Sequence, residues 1–334
     1  DLYRGDPHWA VQARRLMERY EEMGCEPTWT CAPYQLDIRP LFGEQIAWAE
    51  SNAIVFANSV LGARTHRYGD FIDICAAICG RAPAAGLHLE ENRRGTLLVR
   101  LEGLDAELLD RDVLYPVLGH VVGQVAGHRV PVIDGLPPLV DEDRLKALGA
   151  AAASAGSVGL FHAVGSTPEA PTAKAAFQGV EPERVVVVSS EELRAARDAL
   201  STTRDSRLGS VSLGTPHYSV TEIGRLVALL DDRQVHPDVS LYVSTGRDVL
   251  AEVRLRGWEE PLRSAGVVFV TDTCTYITPI LSETSRPAMT DSAKWAYYAP
   301  GNLGVEVVFG SVEDCVASAV AGKVVRDDKI WGDD

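Results

Sequence analysis

Three observations predict an α/β fold of parallel-sheet βα units with helices on both faces. From residue 184 onward, short Val- and Leu-rich runs alternate with stretches of helical length, the pattern of parallel strands joined by crossover helices. Three of those stretches open with a capping-box spacing, at Ser189-x-x-Glu192, Ser219-x-x-Glu222 and Ser311-x-x-Asp314. Three strand ends then present polar groups: Gly214-Thr215-Pro216-His217, Ser244-Thr245-Gly246-Arg247 and Asp272-Thr273-Cys274-Thr275-Tyr276. In an open parallel sheet, ligands bind along that carboxyl edge.

The elements follow in chain order. Trp9, Ala13, Leu16, Tyr20 and Met23 recur at helical spacing and form one apolar stripe, with Gly24 placed to end the helix. Residues 25–45, rich in Pro, Thr and Gly, read as a loop that carries Cys25 and Cys31. A second helix is expected over 46–61, with Gly62 closing it. It is apolar enough to be buried, so Glu50, Asn52, Asn58 and Ser59 within it need hydrogen-bond partners. Residues 96–101 read as a strand, and 110–150 give no resolvable pattern. The small residues from Ala150 to Gly156 read as a close-packed helix end. Residues 164–182, with three prolines, read as a linker. Strands are then expected over 184–188, 210–213, 239–243, 267–270 and 305–309. The predicted organisation is a helix-rich part over 1–163, the linker, and an α/β subdomain over 183–334.

The chain has 334 residues and a formal net charge of −15. That charge disfavours nucleic acid and acidic membrane surfaces as general partners, since phosphates are repelled. A small anionic substrate needs only a local cluster of cations. No apolar run reaches the roughly 18 residues of a membrane span, and the polar start is no signal peptide. Six irregularly spaced cysteines fit a reducing cytoplasm better than a secreted disulfide framework. P-loop, GxSxG, HExxH, paired CxxC and post-strand GxGxxG motifs do not occur.

Chemistry-bearing residues each carry two readings. Cys31, in a loop, and Cys274, past a strand end, are either iron-binding thiolates or buried free cysteines. Cys75 and Cys79 read as packing, and Cys25 and Cys315 as structural. His217 either faces a ligand or caps a turn. His88, flanked by charge, is either a site residue or an exposed, salt-bridged turn. Arg64, Thr65 and Arg67 follow Gly62 and form either an anion clamp or a solvated turn. Arg247 opens a helix after a strand, where backbone N–H groups also attract anions. Lys294, in Asp291-Ser292-Ala293-Lys294-Trp295, serves the same role or lies on the surface.

The segments from Ile46 to Ala53 (Ile-Ala-Trp-Ala-Glu-Ser-Asn-Ala) and from Ala57 to Thr65 (Ala-Asn-Ser-Val-Leu-Gly-Ala-Arg-Thr) resemble the signature of the aconitase X family. Gly86-Leu87-His88-Leu89-Glu90-Glu91-Asn92-Arg93, Gly214-Thr215-Pro216-His217 and Asp272-Thr273-Cys274-Thr275-Tyr276 resemble its later motifs, so the similarity runs along essentially the whole chain. The resemblance implies an aconitase-like, multi-subdomain architecture and a dehydratase acting on cis-3-hydroxy-L-proline or, alternatively, on mevalonate 5-phosphate. It implies that Cys31 and Cys274 are ligands of an iron–sulfur cluster, either [2Fe-2S] or [4Fe-4S]. Thr215 stands where other members carry Cys.

The chemistry of such a dehydration needs a carboxylate clamp and a proton relay, so Ser51, Asn52, Arg64, Thr65, Arg67 and Arg247 are expected to bind substrate, and His217, His88 and Lys294 to act in catalysis. The family's swivelling domain, present in the same chain or as a small subunit, supplies a catalytic Ser. No such domain is recognised here, so the chain is expected to be a fragment or a large subunit truncated at its start. The reading of another class is a non-catalytic scaffold subunit that keeps the fold and binds a partner.

Overall fold

The structure, a computed structural model, describes residues 2–69 and 71–332. The chain forms two units that interleave in sequence. One comprises Tyr34–Leu200, Ser292–Tyr297 and Asp327–Asp334; the other comprises Asp1–Pro33, Ser201–Asp291 and Tyr298–Arg326.

The first unit holds a four-stranded, all-parallel sheet of β1 (Leu97–Leu101), β2 (Pro131–Asp134), β3 (His162–Ala163) and β4 (Arg184–Val188), in the order β3-β2-β1-β4. β1 is paired on both sides, and its Leu97, Leu98 and Val99 are buried. The stretch without a sequence pattern resolves into helix Leu114–Ala126, strand β2 and helix Glu142–Ala155. The helices press together at small residues: a Cβ on Gly119 would lie 2.2 Å from the Leu148 carbonyl oxygen. The first of them is buried almost all round, which erases the one-sided periodicity that reveals a surface helix.

Two expectations in this unit are corrected. The helix expected over 46–61 begins only at Ser51, runs to Phe56, and ends in a wider-pitched turn over Ala57–Leu61. Glu50 sets the start by accepting the Ala53 N–H at 2.7 Å, while Ile46 donates its N–H to Arg64 O at 3.0 Å. Residues 164–182 do not run as a linker. They contain helix Ala173–Ala176 and bury Ala170, Ala176 and Phe177 against Leu98 and Val132.

The second unit holds a five-stranded parallel sheet in the order β7-β6-β5-β8-β9. Its strands are β5 (Ser210–Tyr218), β6 (Ser240–Thr245), β7 (Val267–Val270), β8 (Ala288–Thr290) and β9 (Val307–Phe309). Central β5 is buried throughout and pairs Leu213 with Val243; the register then shifts, and Tyr218 pairs with Thr245. Gly214 makes that shift possible. Its φ is +83° and an added Cβ would lie 2.1 Å from Ser244 O, so only glycine fits. The strand thereby continues past residue 213, the expected end, and carries His217 into the site. All three capping boxes form, two of them on this sheet's helices Val220–Leu230 and Val312–Ala321 and the third on Ser190–Ala199 of the other unit. The first helix, Pro7–Glu22, has the expected stripe, but Trp9, Leu16 and Met23 are exposed. Among the described residues, no helix is long and apolar enough to cross a membrane.

Candidate functional site

Two cysteines separated by 243 positions meet in the five-stranded unit: Cys31 Sγ and Cys274 Sγ lie 3.8 Å apart. Cys274 follows β7 and is buried, while the Cys31 loop is half-buried. His217, 1% exposed, sits with them at the end of β5. Its backbone N–H donates to Cys31 Sγ at 3.2 Å. Its ring Nδ1 lies 3.0 Å from Thr30 Oγ1 and Nε2 lies 3.1 Å from Thr273 O. One ligand atom from each of Cys31, His217 and Cys274 can be chosen so that all three fall within 4.8 Å of one another. Among the described residues, this is the one group of metal-donor side chains so arranged. Thiolate donors suit iron–sulfur and other soft-metal sites, so the donor set fits the group that the motifs imply. Thr215, 4% exposed, occupies the neighbouring bend of β5.

Arg247 is placed by β6 and opens the helix Arg247–Leu255. Its guanidinium makes a bidentate pair with Asp272, Nε to Oδ1 at 2.7 Å and Nη2 to Oδ2 at 2.6 Å. That partner raises its pKa. The expected anion clamp thus already holds an internal carboxylate.

The remaining expected residues belong to the other unit and fall into three clusters. Lys294 Nζ, 3% exposed at the side chain, donates to Glu50 Oε1 at 2.5 Å and lies 3.4 Å from Ser51 Oγ. Asn52 Nδ2 donates to the Tyr34 hydroxyl at 2.8 Å.

In the second cluster, Arg64 pairs with Glu90 at 2.8 Å and Glu169 at 3.0 Å. The Glu169 carboxylate also receives the Arg93 guanidinium, which is 0% exposed. Burial lowers the Arg93 pKa, opposed by the Glu169 carboxylate. Asn58 ties this cluster to the helix: Nδ2 donates to Thr65 O and Gly159 O, while Oδ1 accepts from Thr65 N and Arg93 Nη1. Arg67 donates to Ala153 O at 3.2 Å. The turn after Gly62 is therefore not a solvated turn: Arg64 and Glu169 lie in a buried ion network whose Glu90 end is exposed.

In the third cluster, His88 is buried, so it is no exposed turn. Its Nδ1–H donates to Gln45 Oε1 at 2.6 Å, which leaves Nε2 to accept from the Tyr68 hydroxyl. Burial, then the charges of His66 and Arg93, lower the His88 pKa, and burial raises that of Tyr68. Gln45, Ala47, Asp73, Arg81 and His88 line a cavity of about 520 Å³.

Sequence reasoning missed Arg93, Glu169 and Tyr68. Arg93 lies inside a quoted motif, whereas Glu169 was hidden in the Pro-rich stretch read as a linker.

The chain is similar to known proteins along most of its length. The first, second and third domains of aconitase X match residues 3–91, 95–198 and 208–321. Over 314 residues the chain is 45% identical to a cis-3-hydroxy-L-proline dehydratase of Pseudomonas aeruginosa, covering 93% of this chain and 54% of that protein. It is 44% identical to a cis-3-hydroxy-L-proline dehydratase of Hypocrea jecorina, covering 93% and 52%. The large subunit of phosphomevalonate dehydratase from Methanothermobacter thermautotrophicus is 40% identical over 300 residues, with 88% and 71% covered. The holo-form crystal structure of aconitase X from Thermococcus kodakaraensis superposes with a TM-score of 0.85 at 33% identity, covering 95% of this chain and 79% of that one. The chain belongs to the aconitase X family, and its fold is the α/β, aconitase-like one expected. It spans about half the length of the two hydroxyproline dehydratases it matches.

Proposed function

We propose that this chain supplies the core of a hydro-lyase that removes water from cis-3-hydroxy-L-proline. The observation that carries the reading is the meeting of Cys31 and Cys274 at 3.8 Å, in a chain 45% identical to a dehydratase of that substrate. An iron–sulfur cluster, [2Fe-2S] or [4Fe-4S], would be held by these two thiolates and, when bound, supplies a Lewis acid for the substrate hydroxyl and carboxylate.

The chain's own residues bind and orient. Lys294 and Ser51 both lie against the Glu50 carboxylate, a grouping of charge and hydroxyl that would orient the polar substituents of a small substrate. His88 holds or passes a proton at Nε2 through Tyr68. A hydroxyl from a swivelling domain or small subunit would complete the set as the base that takes the carbon-bound proton. Arg64, Arg247 and Lys294 each already face a carboxylate of this chain. That leaves less cationic field for a phosphate than mevalonate 5-phosphate demands, and it favours the small amino acid. All six cysteines are free thiols, in keeping with a cytoplasmic enzyme.

Turnover of both substrates by the complete enzyme, purified anaerobically, tests this. Dehydration of cis-3-hydroxy-L-proline in preference to mevalonate 5-phosphate is expected. An iron-free protein that turns over neither would leave the scaffold subunit as the better reading.

A further inference from the structure

The two ring bonds of His217 reach two particular residues. Thr30 immediately precedes Cys31, and Thr273 immediately precedes Cys274. One imidazole therefore spans the two loops that deliver the thiols, with Nδ1 on Thr30 at 3.0 Å and Nε2 on Thr273 O at 3.1 Å. Its backbone N–H adds a third tie, to Cys31 Sγ itself at 3.2 Å.

We infer that His217 is a positioning residue, a clasp that holds Cys31 and Cys274 at bridging distance, rather than a proton carrier. A carbonyl oxygen can only accept, so Nε2 must carry its hydrogen to bond Thr273 O. That nitrogen has no lone pair to offer a proton or a metal. Nδ1 is directed at the Thr30 hydroxyl, which also accepts the Ala32 N–H at 3.0 Å and is thereby fixed in place. The ring is 1% exposed and its strand is anchored by the Gly214 register shift, so the clasp is rigid at its root. The two cysteines arrive on a loop and past a strand end, and the imidazole joins those two segments through its ring bonds.

The inference rests on the reading of Cys31 and Cys274 as the cluster-holding pair, but its test uses neither iron nor substrate. The full chain, with Cys25→Ser, Cys75→Ser and Cys79→Ser to silence the other accessible or half-buried thiols, is stripped of metal anaerobically. It is then treated with dibromobimane, which becomes fluorescent when one molecule bridges two thiols, and peptide mapping confirms that Cys31 and Cys274 are joined. His217→Ala is expected to slow bridging by about tenfold or more, the equilibrium equivalent of losing two ordinary hydrogen bonds. Thr30→Val, which removes one of the two ring ties together with the Ala32 N–H bond, is expected to slow it about fivefold or more, and Thr30→Ser to restore the parent rate. Should His217→Ala fail to fold by circular dichroism, the Thr30 pair decides. Bridging at the parent rate in His217→Ala or in Thr30→Val overturns the clasp and returns His217 to the role of metal ligand or proton carrier.

Discussion

Glu169→Gln tests the finding that Arg64 belongs to a buried ion network. Glu169 is 11% exposed at its side chain, and its carboxylate bonds Arg93 Nε through both oxygens at 3.0 Å and Arg64 Nη1 at 3.0 Å. The substitution keeps the volume and removes the charge. Arg93 Nη1 retains acceptors at Asn58 Oδ1 and Leu87 O, and Nη2 retains Asn58 O, while Nε and the second Nη2 hydrogen are left to share the single amide oxygen. What is lost is the counter-charge of a guanidinium that is 0% exposed. Breaking a buried ion pair on one side costs about 3–5 kcal/mol, and the remaining acceptors place this case near 3. Urea unfolding followed by far-UV circular dichroism reads the difference. Glu183→Gln, which removes an exposed partner of Arg94 at 3.5 Å, is the control and is expected to cost under about 1 kcal/mol. A loss below about 1 kcal/mol for Glu169→Gln would refute the buried-network account and restore Arg64 as a candidate clamp.

Gly214→Ala is expected to cost about 2–4 kcal/mol, since its φ is +83° and the new methyl would meet Ser244 O at 2.1 Å; urea titration checks it, and an unchanged midpoint contradicts the role given to the bend in β5. Burial lowers the pKa of His66, His88, His120 and His162 below the ordinary 6.5. Below pH about 6.5 the unfolded chain therefore binds more protons than the native one. Stability is fully present above that pH and is lost as the pH falls through the folded-state values, so the urea midpoint is expected to be lower at pH 5.5 than at pH 7.5. An equal or higher midpoint at pH 5.5 counts against it.

Local signals carried much of the fold. The capping boxes at Ser189, Ser219 and Ser311 and the alternating runs after residue 184 located the helices and strands because short-range hydrogen bonding and periodicity determine them. What stayed hidden was set by tertiary packing. Helix Leu114–Ala126 is buried almost all round and shows no stripe. The start at Ser51 depends on Glu50 acting as cap. Residues 164–182 looked like a linker by composition, yet Phe177 is buried against Leu98 and Val132.

The site divides the same way. Cys31 and Cys274 were legible as candidates through motif resemblance, while their approach across 243 positions depends on the sheet that brings strand ends to one edge. The partners that decide what each cation can do were not legible, because Glu169 for Arg64, Asp272 for Arg247 and Glu50 for Lys294 are pairings between side chains apart in sequence. The buried polar groups of the Ser51 helix did find partners: Asn58 bonds Thr65, Gly159 and Arg93, and Ser59 Oγ accepts the Phe161 N–H.

The central claim is that Cys31 and Cys274 together hold iron. The most direct measurement is iron and acid-labile sulfide content, with the visible absorption spectrum, of anaerobically purified protein and of its Cys31→Ser and Cys274→Ser variants. The account predicts a coloured parent containing both iron and sulfide, and loss of colour and iron in each variant. Equal iron content in parent and Cys274→Ser, or a colourless parent without iron, would contradict it.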